Sequence, residues 1–447
     1  MSSLRHGEPA ERDLLQSVRT KNVTTTGTPC RKVSPHRVNG TNWQIEQGCP
    51  QCGAPVTLEE TDRLLACPFC RTRLYLVPEG HFRYHIPPAA GAEGELLYIP
   101  YWRLRGSSFT VTAAEVTNRF VDTSALAADI PGLPSTLGLR PQVLKLRFVS
   151  LATEGRFIPA DRPAEQAIPD LGETPQGIFY RGFIGETVSL IHAPMLLRGE
   201  TLYDGVLGRT VSACKIADRE RLLASSPAPP GQVLFIPTLC PHCGWDMEGE
   251  RDSLVLLCRN CNSAWTCPGR TFTRVAFSVM TLPSGTGEIA IHLPFWRIKP
   301  RFEGLDLASW ADLIRIANLP KAITPAFAAA PLYFWSPAFK VNPALYARWS
   351  RQMTVFRPVG DEVDRLPQTS LYPVTLPLGE AAEGIVINLA QMITDKRKHY
   401  PKLAGLRVTL EESRLEYHPF VLNRNELLHA ALRIAIDRTA LAYGARM

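Results

Sequence analysis

The sequence predicts an α+β protein, mainly β, in which a small four-cysteine hairpin unit and a larger β-rich domain occur twice in tandem. Three observations carry this expectation. Two cysteine quartets share one spacing, a Pro-aromatic-Trp-Arg phrase recurs at nearly the same offset, and 38 prolines in 447 residues favour short strands and loops over long helices.

Bulk properties set the frame. A chain of 447 residues exceeds one ordinary core, so several domains are expected. Apolar residues at 45% and charged residues at 20% describe a globular protein rather than a disordered one. The net charge of +7 is a weak field over this length, which permits nucleic-acid contact without demanding it. The first twenty residues contain Arg5, Glu8, Glu11, Arg12, Asp13 and Arg19, so no secretory leader is expected there. The most apolar window, Ala326 to Phe339, is broken by Pro331 and Pro337 and is too short to span a bilayer. Eight of the eleven cysteines belong to the quartets, leaving Cys30, Cys214 and Cys267 as singles. Thiols kept reduced for metal, rather than a disulfide framework, fit a cytoplasmic protein.

Element by element, residues 1–45 are polar and without apolar period, and read as a disordered tail. The first hairpin unit spans 46–76. Its Cys49, Cys52, Cys67 and Cys70 follow C-x2-C-x14-C-x2-C. A Cys-x-x-Cys-Gly turn aims both sulfurs at one centre, and two such knuckles close a tetrahedral thiolate cage. Residues 77–222 form a β-rich domain, with strands expected at Val143–Val149 and around His192-Ala193-Pro194-Met195-Leu196-Leu197. Residues 223–232, rich in Ala, Ser and Pro, read as a linker. The second hairpin unit, 233–270, repeats the spacing in Cys240, Cys243, Cys258 and Cys261, an offset of 191 residues (49 to 240). Leu254–Leu257 is an expected strand within it.

The second β-rich domain, 271–447, opens with a strand at Ile289–Leu293. Its Pro294-Phe295-Trp296-Arg297 matches Pro100-Tyr101-Trp102-Arg103 at an offset of 194 (100 to 294). Trp102 and Trp296 are expected in the cores, anchoring each hairpin unit to its domain, with Pro100 and Pro294 at strand edges or bulges. A closing strand with central proline, Tyr417-His418-Pro419-Phe420-Val421-Leu422, corresponds to the one around Pro194, at a longer offset of 225 (194 to 419). Helices are expected at Asp306–Ala317, after Asn342-Pro343 (N-cap then proline at the first helical position), and at Asn425–Leu441. The last places Leu427, Leu428, Ala431, Ile434 and Ala435 on one face.

Four thiolates leave no open position at either metal, so the expected cofactors are two structural Zn²⁺ ions rather than catalytic ones. His81 and His85 lie in an alternating, strand-like stretch and are not expected to pair on a metal. Cys267 reads as an ordinary small residue. No P-loop, dinucleotide fingerprint, nucleophile elbow or H-E-x-x-H is present, and Ser284-Gly285-Thr286-Gly287 reads as a hairpin turn. No enzyme is therefore expected. Between the knuckles, Glu59, Glu60 and Asp62 outnumber Arg63, and Asp246, Glu248, Glu250 and Asp252 outnumber Arg251. Acidic hairpin tips of this kind disfavour nucleic acid as a partner. The run Lys396-Arg397-Lys398 reads as a solvated face.

A Cys-Pro-x-Cys-Gly knuckle, a second Cys-x-x-Cys, then an aliphatic-Pro-aromatic-Trp strand resembles bacterial proteins with a transcription-factor-IIB-type (rubredoxin-like) zinc ribbon. The resemblance covers Cys49–Arg103 and Cys240–Arg297 and implies a metal-binding module, not an activity. The leading expectation is a non-enzymatic adaptor or scaffold that presents paired surfaces to protein partners. A nucleic-acid-binding ribbon protein is the second reading. A rubredoxin-like iron electron carrier is the third, disfavoured because Arg71 and Asn262, not glycine, follow the second knuckles.

Overall fold

The computed structural model describes residues 43–138, 145–168, 176–213, 233–281, 288–358, 360–432 and 434–444. The expected linker, the turn at 284–287, Cys30, Cys214 and all but the last three residues of the expected tail lie outside them. The protein is mainly β, as the alternation and proline content imply.

The first half contains β1 (Gln44–Gly48), β2 (Pro55–Glu59), β3 (Leu64–Ala66), β4 (Arg73–Pro78), β5 (Phe82–His85), β6 (Glu95–Thr112) and β7 (Val116–Leu126). It continues with β8 (Leu146–Phe148), β9 (Arg156–Phe157), α1 (Ala164–Ala167), β10 (Ile178–Arg198), β11 (Thr201–Asp204) and β12 (Thr210–Ala213). The second half contains β13 (Val233–Pro237), β14 (Val255–Cys258), β15 (Ser263–Thr266), β16 (Thr273–Val275), β17 (Phe277–Met280), β18 (Ile289–Glu303), α2 (Trp310–Ile316), α3 (Pro325–Ala329) and β19 (Phe334–Pro337). Then follow α4 (Pro343–Phe356), β20 (Glu362–Val363), α5 (Leu378–Met392), α6 (Lys396–Leu403), β21 (Arg407–Asn423), β22 (Glu426–His429), β23 (Ala435–Asp437) and α7 (Arg438–Gly444).

Each half is organised by two long antiparallel strands, β6 with β10 and β18 with β21. The flanking strands take the same places in both. β5 runs parallel beside β10 as β17 does beside β21. β8 pairs with β5 as β20 does with β17, and β11–β12 extend β10 as β22–β23 extend β21. Registers also agree: Pro100 faces His192 and Tyr98 faces Pro194, while Pro294 faces Tyr417 and His292 faces Pro419.

The four prolines occupy seams, not merely edges. Each carbonyl accepts one amide from a flanking segment: Pro100 from Ala127 (3.0 Å), Pro294 from Ala338 (3.0 Å), Pro194 from Gly205 (2.9 Å) and Pro419 from Ala430 (3.2 Å). Each proline lies where one flanking strand ends and the next begins. Its missing N–H therefore falls at a break in the ladder and costs no hydrogen bond.

The halves share a core. Phe109 and Val111 of β6 and Ile184 of β10 lie in the same buried cluster as Phe295, Trp310 and Ile385. Tyr180 donates to the Glu383 carbonyl (3.2 Å), and the Glu380 carboxylate accepts the amides of Gly185 and Glu186 where the β6–β10 register shifts.

Several expectations change. Trp43 and Ile45, assigned to the tail, are buried at the start of the fold, with Ile45 in β1. Asp306–Ala317 shortens to α2, which Ser309 and Asp312 cap reciprocally. Asn342 does cap α4, its Oδ1 accepting the Ala344 amide at 3.0 Å. The expected helix Asn425–Leu441 is instead the β22–β23 hairpin followed by α7. Pairing of β22 with β21 overrides the helical spacing, and Leu427 and Ile436 are buried as opposed strand residues. Helix α5 escapes sequence reading because apolar residues surround it: Ile385, Val386, Ile387 and Leu389 are all buried, so it shows no amphipathic stripe.

The acidic tip of the first hairpin unit does not face solvent. Glu60 is 1% exposed and its carboxylate pairs with Arg103 through two bonds, 2.8 and 2.9 Å, while Arg103 stacks on Trp43. Asp122 completes the arginine's pairing. Asp62, also buried, pairs with Arg251. The apolar surroundings force these carboxylates to find partners, so the tip is an internal joint and repels nothing outside. Arg103 rather than Trp102 makes the polar contact to this unit, beside an apolar seam in which Leu58, Leu65 and Leu76 pack with Tyr84, Leu97 and Ile191. Trp102 and Trp296 donate instead to the carbonyls of Arg162 (2.7 Å) and Leu376 (2.9 Å) within the β-rich domains.

In the second half a buried polar chain crosses the sheet. Ala431 and Leu432 amides both donate to His429 Nδ1 (3.1 Å each), so His429 carries its proton on Nε2 and donates it to His418 Nδ1 (3.1 Å). His418 in turn donates from Nε2 to Glu416 (3.2 Å). Burial pushes His429 down to about 3.

Two outcomes follow. Arg103→Met leaves Glu60 buried without its partner and lowers stability by about 3–5 kcal/mol, whereas Arg103→Met with Glu60→Leu recovers much of the loss, as urea unfolding will show. Because His429 is held below its ordinary value, the unfolded chain takes up a proton first as pH falls. Its contribution is complete above about pH 6.5 and declines toward the folded value, reaching a loss on the order of 2 kcal/mol at pH 5. His429→Gln flattens the pH dependence of the unfolding midpoint by that amount.

Candidate metal centres

All four sulfurs of Cys49, Cys52, Cys67 and Cys70 lie within 4.8 Å of one another, and so do those of Cys240, Cys243, Cys258 and Cys261. Cys49–Cys70 and Cys52–Cys67 are 3.7 and 3.6 Å apart, and Cys240–Cys261 and Cys243–Cys258 are 3.6 and 3.5 Å apart. A Zn–S bond of about 2.3 Å gives a tetrahedral edge of about 3.8 Å. The donor set and spacing therefore fit zinc, and each quartet can hold one metal ion.

Local backbone explains the convergence. In each first knuckle the glycine after the second cysteine donates to the first cysteine's carbonyl: Gly53 to Cys49 and Gly244 to Cys240, both at 2.8 Å. The second knuckles make the same turn without glycine. Gly53, Arg71, Gly244 and Asn262 have φ of 75°, 63°, 73° and 48°. Arg71 and Asn262 thus accept a left-handed backbone that disfavours side chains, a strain the knuckle geometry imposes.

A hydroxyl supports the last sulfur of each quartet. Thr72 Oγ1 lies 3.3 Å from Cys70 Sγ, and Ser263 Oγ lies 2.9 Å from Cys261 Sγ. Trp265 Nε1 donates to the same Ser263 oxygen at 2.7 Å, leaving the serine proton for the sulfur. Hydrogen bonding to Thr72 brings Cys70 down to about 6, and the Asn260 side chain with the Trp245 amide brings Cys243 to about 6. Burial and neighbouring sulfurs push Cys52 and Cys258 up to about 12, so each quartet holds one thiol that ionises readily and one that gives up its proton only against a bound cation.

The two units are not separate heads. β13, which leads into the second, pairs antiparallel with β4 of the first from Val233–Pro78 to Pro237–Leu74. Leu64, Tyr75 and Val77 share one apolar cluster with Met247, Leu256 and Trp265, and ligands Cys240 and Cys258 lie inside it. The Arg251 carbonyl accepts the amides of Arg63 (2.6 Å) and Leu64 (2.9 Å). Arg73 donates to the Gly249 carbonyl at 3.2 Å. The second unit also grips its own domain, since Arg259, held by Glu248 of the same unit (2.8 Å), donates to the Pro367 carbonyl (2.7 Å).

Other candidates fall away. His81 packs on Trp102, and His85 bonds Tyr98. Cys267 is buried with its sulfur 3.2 Å from the Gly269 carbonyl, outside the quartet. Among the described residues no further His, Cys, Asp or Glu group converges as a metal site. Sequence reading missed Arg103, Thr72 and Ser263. The repeated Trp-Arg pair and the hydroxyl residue two positions after each last cysteine are the signals that mark them.

Cys258→Ser is expected to remove one metal equivalent by elemental analysis. It also speeds hydrogen exchange at the β4 amides about tenfold or more, because the two units share a core.

Comparison of the chain with protein families, with curated proteins and with solved structures gives no match.

Proposed function

We propose that this chain is a non-enzymatic zinc-stabilised adaptor, built from two tandem copies of a transcription-factor-IIB-type ribbon plus β-rich domain. The observation that carries it is the closed four-thiolate donor set at both sites. Four protein ligands leave a bound zinc no position for substrate, so its role is to replace the core that so small a unit lacks. The matched strand registers of the two halves support duplication. Reduced quartets suit a cytoplasmic setting, and among the described residues no helix is long and apolar enough to cross a membrane.

Two aromatic side chains supply the docking chemistry. Phe69 and Trp245, each beside a metal-binding knuckle, are 68% and 63% exposed. Exposed aromatics on a rigid, metal-held turn are effective anchors for a protein partner, because little conformational freedom is lost on contact.

Nucleic-acid binding is the second reading, favoured by the inward turn of Glu60 and Asp62, which removes the repulsion expected from the first acidic tip, although Asp246, Glu248 and Glu250 of the second face solvent. An iron-loaded electron carrier is the third.

Elemental analysis of the purified protein tests the metal, with one zinc per quartet and no visible colour expected; iron–thiolate absorption would overturn the zinc assignment. Phe69→Ala with Trp245→Ala keeps both metals and the melting temperature while abolishing cross-linking to the protein partner of the wild type. Salt-sensitive retention on DNA in place of any protein complex would favour the second reading.

A further inference from the structure

Where the two hairpin units and the two β-rich domains meet, the chain forms a partly open cavity of about 110 Å³. An apolar cavity of about 150 Å³ holds a benzene molecule, so this one suits a ligand of a few heavy atoms. Its wall is charged with both signs. Thr61 and Arg63 come from the first unit, Glu186 from β10, Asp252 from the second unit, and Lys340 and Glu380 from the second domain.

Some of these groups are already committed. Glu380 caps the Gly185 and Glu186 amides. Arg63 Nη1 donates to the carbonyls of Glu60, Thr61 and Asp62 at 3.2–3.4 Å. Others are not. Among the described residues, Lys340 Nζ meets only the Thr187 hydroxyl, at 3.4 Å. The Glu186 and Asp252 carboxylates, both half-buried, bond no other side chain. Burial raises Glu186, raises Asp252 to about 6 and lowers Lys340, and the attraction of Lys340 to Glu380, Glu186 and Asp252, none of them within hydrogen-bonding reach, offsets only part of that cost.

The class of ligand follows from this inventory. A bare metal ion is a poor match, because the carboxylates do not converge as a metal group. A simple anion would satisfy Lys340 but leave two carboxylates unanswered, and a simple amine the reverse. We propose that the junction cavity binds a small zwitterion of the α-amino-acid class, its ammonium between Glu186 and Asp252 and its carboxylate on Lys340. Such a ligand bridges the second hairpin unit and both domains at once, so binding stiffens their junction. This site stands apart from the metal centres and does not depend on the adaptor reading.

The test is calorimetric titration of the full, metal-loaded chain with glycine, L-alanine and L-serine, and with acetate and methylammonium as half-ligands. Saturable binding of at least one amino acid is expected, with each half-ligand weaker by about tenfold or more. Lys340→Met and Asp252→Asn should each weaken it by about tenfold or more while both metals are retained. Should either variant fail to fold, acetic anhydride footprinting of the wild type decides: the amino acid must protect Lys340 from acetylation more than an equal concentration of methylammonium, an amine that consumes the reagent too, and more than it protects the exposed lysines. No saturable binding at about 10 mM, equal binding of a half-ligand, or an unprotected Lys340 would overturn the proposal.

Discussion

A cysteine quartet on a hairpin of this size buries too little apolar surface to hold a fold alone, and the architecture answers that constraint. Each unit gains a cage of four thiolates able to hold a metal ion, and each leans on something larger. The first turns its tip into the β-rich domain and anchors it with a buried arginine–glutamate pair. The second lays its tip across the first, and the two close over a common apolar cluster. Glu60 and Asp62 of the first tip are thus fasteners, because a carboxylate taken from water must be answered by a cation within reach.

The same economy shapes the sheets. Two long strands per half carry every other strand, and breaks in their outer ladders fall at prolines. A residue that cannot donate is placed where no acceptor waits, so one strand can serve two neighbours in succession without a bulge at the join. Equivalent prolines in the two halves share this placement, although the closing strands differ in sequence offset by about thirty residues because helices α2 to α6 are inserted between them in the second half.

The parts of this structure that could be read from sequence are those fixed by local chemistry. Cysteine spacing determines the quartets, Asn342-Pro343 starts a helix, and alternation identifies the strands. What could not be read depends on distant partners. Nothing near Glu60 announces that Arg103 lies over it, since 43 positions separate them. The terminal segment shows a helical spacing at Leu427, Leu428 and Ala431, but strand β21 offers an open edge and wins. Helix α5 is hidden for the opposite reason, because its stretch from Gly384 to Ala390 is buried all round, and exposed Glu383 in its first half is too little polar face to betray its period.

The pairing of β13 with β4 has a consequence for how the chain is made. Val233 meets Pro78 across 155 residues (78 to 233), so closing this contact spans a long loop and carries a correspondingly large entropy. During synthesis the first quartet emerges complete, with all its ligands, long before its neighbouring strand exists. A metal ion held there before the second unit exists would leave Leu64 and Tyr75 without the Met247, Leu256 and Trp265 side chains that cover them in the finished fold, so the first unit's apolar face is complete only once the second has been made.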